Sequence, residues 1–148
     1  MITDGVTIPV ATASVDVAFS NQVMEHLHPD DASELVRNLW TALVDGGKYV
    51  CITPNRLTGP HDVSKHFSDV AVGLHMHEYT IGELRELFIS SGFSDVRVCL
   101  ALGGEVLVAF PGRFYASIEQ ILARLPRRVR QKRLVRKILD PGLLVACK

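Results

Sequence analysis

The stretch Val15-Asp-Val-Ala-Phe-Ser20-Asn-Gln-Val-Met-Glu25-His-Leu-His28-Pro-Asp30 decides the fold. Its first six residues form a compact apolar run with β-branched members, which reads as a strand. Asn21–His28 breaks that run. Pro29-Asp30 then opens a helix predicted to reach about Leu43, with Asp30 as its N-cap. Leu35, Val36, Leu39, Trp40 and Leu43 fall on one face of that helix. Gly46-Gly47 ends it, and Lys48–Thr53 is the next strand. Strands this apolar and without alternation fit a sheet covered on both faces. The alternation of strand and helix argues for an α/β layer structure with a mostly parallel sheet flanked by helices.

The flanking sequence extends the pattern. Val6–Val10, with Pro9 near its end, suits an edge strand. Residues 54–79 carry two prolines, two glycines and four of the six histidines without periodicity, which reads as a long loop. Thr80-Ile-Gly-Glu83 is a capping box, and its helix is expected to bury Leu84, Leu87 and Phe88 before stopping at Gly92. Val96–Leu102 reads as a strand, residues 113–139 as mostly helical with a break at Pro126, and Leu143–Cys147 as a last short strand. Without internal repeats or a low-complexity linker, residues 1–148 read as one domain. Residues 103–142 form a helical insertion between its last two strands.

Of the 148 residues 47% are hydrophobic and 22% charged, and the net charge is zero, the profile of a globular domain rather than a disordered chain. No run approaches the roughly 18–20 apolar residues of a membrane span. Cys51, Cys99 and Cys147 are widely spaced within apolar runs and read as buried thiols of a reducing compartment. With no leader-like N-terminus, a cytoplasmic location is expected. The charge is uneven: seven basic residues and no acid lie between Arg127 and Lys137. That segment reads either as a solvated helix face or as a peripheral membrane or polyanion contact. No pattern of aromatic stacking residues points to a specific nucleic acid.

Four blocks in order carry a resemblance. They are Asp4 with Ile8-Pro9; Ser14-Val-Asp-Val-Ala18; Leu43-Val-Asp-Gly46-Gly47; and Thr80, Glu83, Leu84, Gly92 and Phe93. Together the chain resembles the C-terminal portion of class I S-adenosylmethionine-dependent methyltransferases of the ubiquinone-biosynthesis type. That resemblance implies S-adenosylmethionine as cofactor, with Asp4, Gly5, Ile8, Asn21 and Gln22 on the cofactor side. Asp4-Gly5 also reads as an ordinary turn dipeptide. In the family a glycine motif follows strand one, and this chain contains no Gly-x-Gly. The resemblance begins at strand three, so roughly 50 residues of the family's fold have no counterpart here. The family's strand order 3-2-1-4-5-7-6 then leaves a 4-5-7-6 sheet, a strand four that is an exposed edge prone to association, and poorly anchored residues 1–12.

Gln22-Val-Met-Glu25-His26 resembles the Glu-x-x-Glu-His motif of metal-dependent relatives, with Gln22 in place of the first acid. Losing that carboxylate argues against a metal, and none is assigned. The resemblance implies catalytic roles for Glu25 and His26, with His26 as general base for a hydroxyl nucleophile. The alternative is that the pair packs or caps the following turn. His61-Asp62 and His75-x-His77 match no closed zinc spacing. In the family this loop contributes to the acceptor pocket, which marks Asn55, Arg56, His61 and His66 as candidate acceptor contacts. The expected activity is methyl transfer to a hydroxyl of a small molecule, sugar or lipid-linked acceptor. The other readings are a non-catalytic interaction module, or one half of a split enzyme whose partner chain, or a second copy, joins at the exposed strand edge.

Overall fold

Five strands form one sheet: β1 (Val15–Asn21), β2 (Leu43–Ile52), β3 (Asp95–Leu102), β4 (Glu105–Pro111) and β5 (Gly142–Cys147), in the order β1-β2-β5-β3-β4. The computed structural model describes residues 4–102, 105–140 and 142–148. The helices are α1 (Pro29–Ala42), α2 (Ile81–Ser90), α3 (Gly112–Ala123), α4 (Arg127–Arg130) and α5 (Arg133–Leu139). The expected four-five-seven-six order is present as β1-β2-β5-β3. β1 and β2 pair in parallel, with Phe19 opposite Val50. β5 enters antiparallel between β2 and β3, and β4 pairs antiparallel with β3. Thus β1, β2 and β3 run one way and β5 and β4 the other.

The helical insertion expected over 103–142, of which residues 103, 104 and 141 lie outside the described residues, opens with the strand β4. Residues 105–111 pair antiparallel with β3, from Glu105 opposite Leu102 to Pro111 opposite Arg97. The helical part begins only at Gly112.

The start of α1 is also corrected. His28 is its N-cap, with Nδ1 accepting from the Asp30 amide at 3.4 Å. Pro29 takes the first helical position, where its missing N–H costs nothing, and so the cap lies two residues earlier than expected. Leu43 belongs to β2, not to the helix. The pairing jumps from Val15–Leu43 to Val17–Lys48, and Gly46 has a φ of +77°. Gly46-Gly47 therefore forms an irregularity inside the strand, at a backbone angle that glycine adopts without strain.

Tyr49, Phe88 and Phe93 sit at the centre of the core, with Tyr49 and Phe88 edge-on at 5.3 Å. Leu35, Val36 and Leu39 of α1 and Leu84 and Phe88 of α2 pack there against Val98, Leu144 and Ala146 of the sheet. The opposite side of β1 is bare: Val17 is 58% and Phe19 64% exposed, so the sheet is not covered on both faces there.

Residues 6–10 form no strand, because β1 is the sheet's edge and pairs only with β2. Of residues 1–12, expected to be poorly anchored, 1–3 lie outside the described residues, while residues 4–8 are held in place. Val6 and Ile8 pack on the core, and Asn38 Nδ2 donates to the Val6 carbonyl at 3.1 Å. Among the described residues, no helix is long and apolar enough to cross a membrane.

Candidate functional site

At the carboxyl end of β1 the chain must turn sharply. Gln22 does so at a φ of +56°, and its amide donates to the Ile52 carbonyl at 2.9 Å, tying the turn to the end of β2. A left-handed non-glycine residue is uncommon and costs backbone strain, and such positions concentrate at functional loops. Asn21 and Gln22 are both exposed there. A 3-10 turn over Met24–His26 follows, burying Met24 and Glu25 and leaving His26 exposed.

Glu25 is fully buried. Its Oε2 accepts from Thr53 Oγ1 at 2.8 Å, while Oε1 has no hydrogen-bond partner. Its carbonyl accepts from the amides of Met76 (2.8 Å) and His77 (3.2 Å), which docks the far end of the long loop onto this turn. His26 Nδ1 lies 3.1 Å from the Leu74 carbonyl, and the His26 ring meets His75 edge-on at 4.9 Å. Ligand atoms of Glu25, His26 and His75 all lie within 4.8 Å of one another. One carboxylate and two imidazoles can hold a divalent ion. The fold thus assembles a donor set that sequence spacing did not suggest, since His75 is far along the chain.

Behind His75 runs a buried polar chain. His75 Nδ1 is 2.7 Å from Glu78 Oε1, and the same oxygen accepts from the His61 amide at 2.7 Å. Glu78 Oε2 lies 3.3 Å from His61 Nδ1, and His61 Nε2 reaches Thr58 Oγ1 at 3.0 Å and Asp140 Oδ2 at 3.5 Å. Burial alone would lower the His61 pKa, but the Asp140 and Glu78 carboxylates raise it to about 9. Glu78 and Asp140 are held below the ordinary carboxylate range, His61 outweighing burial in both. Asp62 organises the loop: its carboxylate accepts from the amides of Ser64, Gly73, Leu74 and His75. Those bonds outweigh burial and keep it well below its usual range.

His61 also forms part of the wall of a cleft of about 830 Å³ between the loop and α4–α5, with Lys65, His66, Arg127, Arg128 and Arg136 around it. Of the expected acceptor contacts, His61 and His66 therefore meet in one cavity. Asn55 and Arg56 do not line it. The Asn55 amide is committed to Glu119 (2.6 Å) and Leu57, and Arg56 pairs with Glu83 at 2.7 Å. Asp4 closes a turn, its carboxylate accepting from the amides of Val6 and Thr7 and the Thr7 hydroxyl. Gly5 follows at a φ of +87°, and Ile8 packs on the core. Sequence reasoning assigned no role to His75, Glu78, Thr53 or Asp140. Only the histidine-rich composition of the loop pointed toward them.

A family model described as a methyltransferase domain matches residues 1–51. A probable S-adenosylmethionine-dependent methyltransferase of Mycobacterium tuberculosis is 35% identical over 115 residues, covering 75% of this chain and 38% of that protein. A similarly described protein of Mycolicibacterium smegmatis is 35% identical over 122 residues, covering 82% and 44%. This chain thus spans less than half the length of the curated relatives it matches. Among solved structures, the complex of the Haloferax volcanii Trm112 methyltransferase activator with a methyltransferase matches at a TM-score of 0.60. The identity is 18%, over 99% of this chain and 60% of that one. An S-adenosylmethionine-dependent methyltransferase of Mesorhizobium loti matches at 0.56 and 19%, over 99% and 67%. At such identities these structures attest the fold.

Proposed function

We propose that this chain, similar over most of its length to S-adenosylmethionine-dependent methyltransferases, is part of a class I enzyme of that kind and serves methyl transfer to a hydroxyl of a small-molecule, sugar or lipid-linked acceptor. The observation that carries this reading is His26. Its ring is exposed at the carboxyl end of β1, where ligands sit in open α/β sheets. Donation from Nδ1 to the Leu74 carbonyl leaves Nε2 as the proton acceptor, the tautomer a general base needs. When bound, the cofactor supplies an electrophilic methyl group on a sulfonium. His26 Nε2 would take the acceptor's hydroxyl proton as its oxygen bonds to that methyl carbon and the carbon–sulfur bond breaks, the sulfur leaving as a neutral thioether. His75 meets the imidazole edge-on and Glu25 lies within 4.8 Å of it, and on this reading Gln22 and Asn21 border the cofactor side.

This chain lacks a Gly-x-Gly segment, which in the family approaches the cofactor closely. We therefore read β1, with its free edge and the exposed Val17 and Phe19, as the surface where further strands complete the sheet. Those strands come from the same polypeptide, a partner chain or a second copy. The alternative is a non-catalytic interaction module using that edge. Three free cysteines, two of them buried, support a cytoplasmic location.

Calorimetric and thermal-shift titration with S-adenosylmethionine and S-adenosylhomocysteine tests the reading. Ligand at a hundred times its dissociation constant should stabilise the fold by about 2.7 kcal/mol. A folded chain that binds neither, alone or mixed with a polypeptide carrying the glycine motif, overturns it in favour of the interaction module. Activity abolished by chelation and restored by a divalent metal would reassign His26 from base to ligand.

A further inference from the structure

We propose that the cleft between the loop and α4–α5 binds a phosphoryl group carried by the methyl acceptor. This rests on the methyltransferase reading for the word acceptor, but the anion site stands on its own geometry. One wall presents Lys65 and His66, the other Arg127, Arg128 and Arg136. Among the described residues, the side chains of Lys65, His66 and Arg128 have no hydrogen-bond or ion-pair partner. The nearby acids are already engaged. Asp140 accepts from the Asn55 amide and the Thr58 hydroxyl and faces His61, with Arg136 more distant at 3.9 Å. Exposed Asp69 pairs with Arg127 at the rim. The cleft is left with an excess of positive charge that a multiply charged anion would neutralise.

The walls are also held in register. Arg130 Nη1 donates to the Leu57 carbonyl at 2.9 Å and Gln131 Nε2 to the Thr58 carbonyl at 3.1 Å, while Arg127 Nη2 reaches the Gly59 carbonyl at 3.4 Å. Three side chains of one helical turn thus fasten α4 onto consecutive carbonyls of the loop. A random basic surface would not be clamped in this way. Guanidinium forks suit the tetrahedral, bidentate geometry of phosphate better than a single carboxylate requires. His61, kept cationic between Glu78 and Asp140, joins this cleft to the Glu25–His26–His75 cluster through Glu78. A bound phosphoryl group would therefore meet His61, which is linked through Glu78 and His75 to the proposed base.

A phosphoryl group can arrive on a soluble metabolite or on a lipid headgroup. Phe67, Val70, Val72, Leu74 and Met76, all well exposed, lie on the same loop as Lys65 and make the lipid source worth testing.

The experiment is titration of the 148-residue chain, without cofactor, with inorganic pyrophosphate, followed by calorimetry and amide chemical shifts. Saturable binding with shifts concentrated at residues 58–66 and 127–136 is expected. The Lys65→Ala/Arg128→Ala double variant, whose exposed side chains carry no structural bonds, should keep its melting temperature and bind at least roughly tenfold more weakly. A second arm uses phosphatidylcholine vesicles with and without phosphatidic acid. Co-sedimentation that pyrophosphate competes away assigns the source to a lipid headgroup. Pyrophosphate binding without vesicle binding assigns it to a soluble phosphate ester. No saturable binding, equal binding by the double variant, or vesicle binding indifferent to pyrophosphate overturns the proposal. Because no cofactor is present, these outcomes are separate from failure of the methyltransferase reading.

Discussion

Glu78 Oε1 lies 2.7 Å from Nδ1 of His75, and through its other oxygen the same buried carboxylate reaches His61 at 3.3 Å. One acid therefore couples the strand-end cluster to the basic cleft. Glu78→Gln keeps the volume and removes the charge. It should lower the His61 pKa from about 9 toward its ordinary value and cost about 1–3 kcal/mol of stability. Titration of the histidine ring signals by NMR, together with urea unfolding, checks both. An unchanged His61 titration would show that Asp140 alone sustains the charge.

The same pair sets a pH dependence. The His61 pKa is higher folded than unfolded, so its contribution to stability is complete below about 6.5 and lost as pH rises through about 9. Glu78 and Asp140 have the opposite sign: their carboxyls are lowered by folding, so their contribution fades in acid. Melting temperature should fall on going from pH 6.5 to 9. His61→Gln should flatten that decline, as differential scanning calorimetry across the range would show.

Glu119 is a buried clasp rather than a site residue. Its carboxylate accepts from the Ile81 and Gly82 amides at the start of α2 and from Asn55 Nδ2. Glu119→Ala leaves those donors buried without partners and should cost on the order of 2–4 kcal/mol. Urea unfolding with an unchanged slope confirms a native-state loss.

Glu25 is kept buried with one oxygen unpartnered, an arrangement that favours function over stability. Glu25→Gln preserves an acceptor for Thr53 and removes the isolated carboxyl oxygen. Because the new amide nitrogen is as unpartnered as the oxygen it replaces, the melting temperature should stay close to that of the native chain, while on the proposed reading methyl transfer falls. A large loss of stability would assign Glu25 a purely structural role.

Phe19 is 64% exposed on the edge strand beside Val17. On the reading of β1 as a completion surface, the native chain should associate in a concentration-dependent way and Phe19→Lys should abolish this at little cost in stability, since charge on an edge discourages pairing. Sedimentation velocity reads the outcome, and undiminished association would move the contact elsewhere.

Much of the fold was legible along the chain. The apolar run at Val15–Ser20 and the Thr80–Glu83 capping box are local patterns that appear where the pattern places them, as do Leu35, Val36, Leu39 and Trp40 of the α1 stripe, whereas Leu43 passes to β2. The misreadings lie where a local signal had two outcomes. Gly46-Gly47 serves a helix stop or a strand irregularity equally well, and only pairing with β1 selects the second. The run before Gly112 became a strand because β3 offered it an antiparallel edge, whereas Val6–Val10 found no partner and stayed a loop.

The site divides in the same way. Sequence by itself determined the α/β class, through residue order and short-range periodicity, and its resemblance to class I methyltransferases marked Glu25 and His26 as candidates. Tertiary structure decided that His75 joins that pair, that Glu78 links it to His61, and that the loop and α4 face each other with their cations inward. Those contacts join residues far apart in the chain, and burial and hydrogen bonding between such residues are satisfied only once the chain has folded.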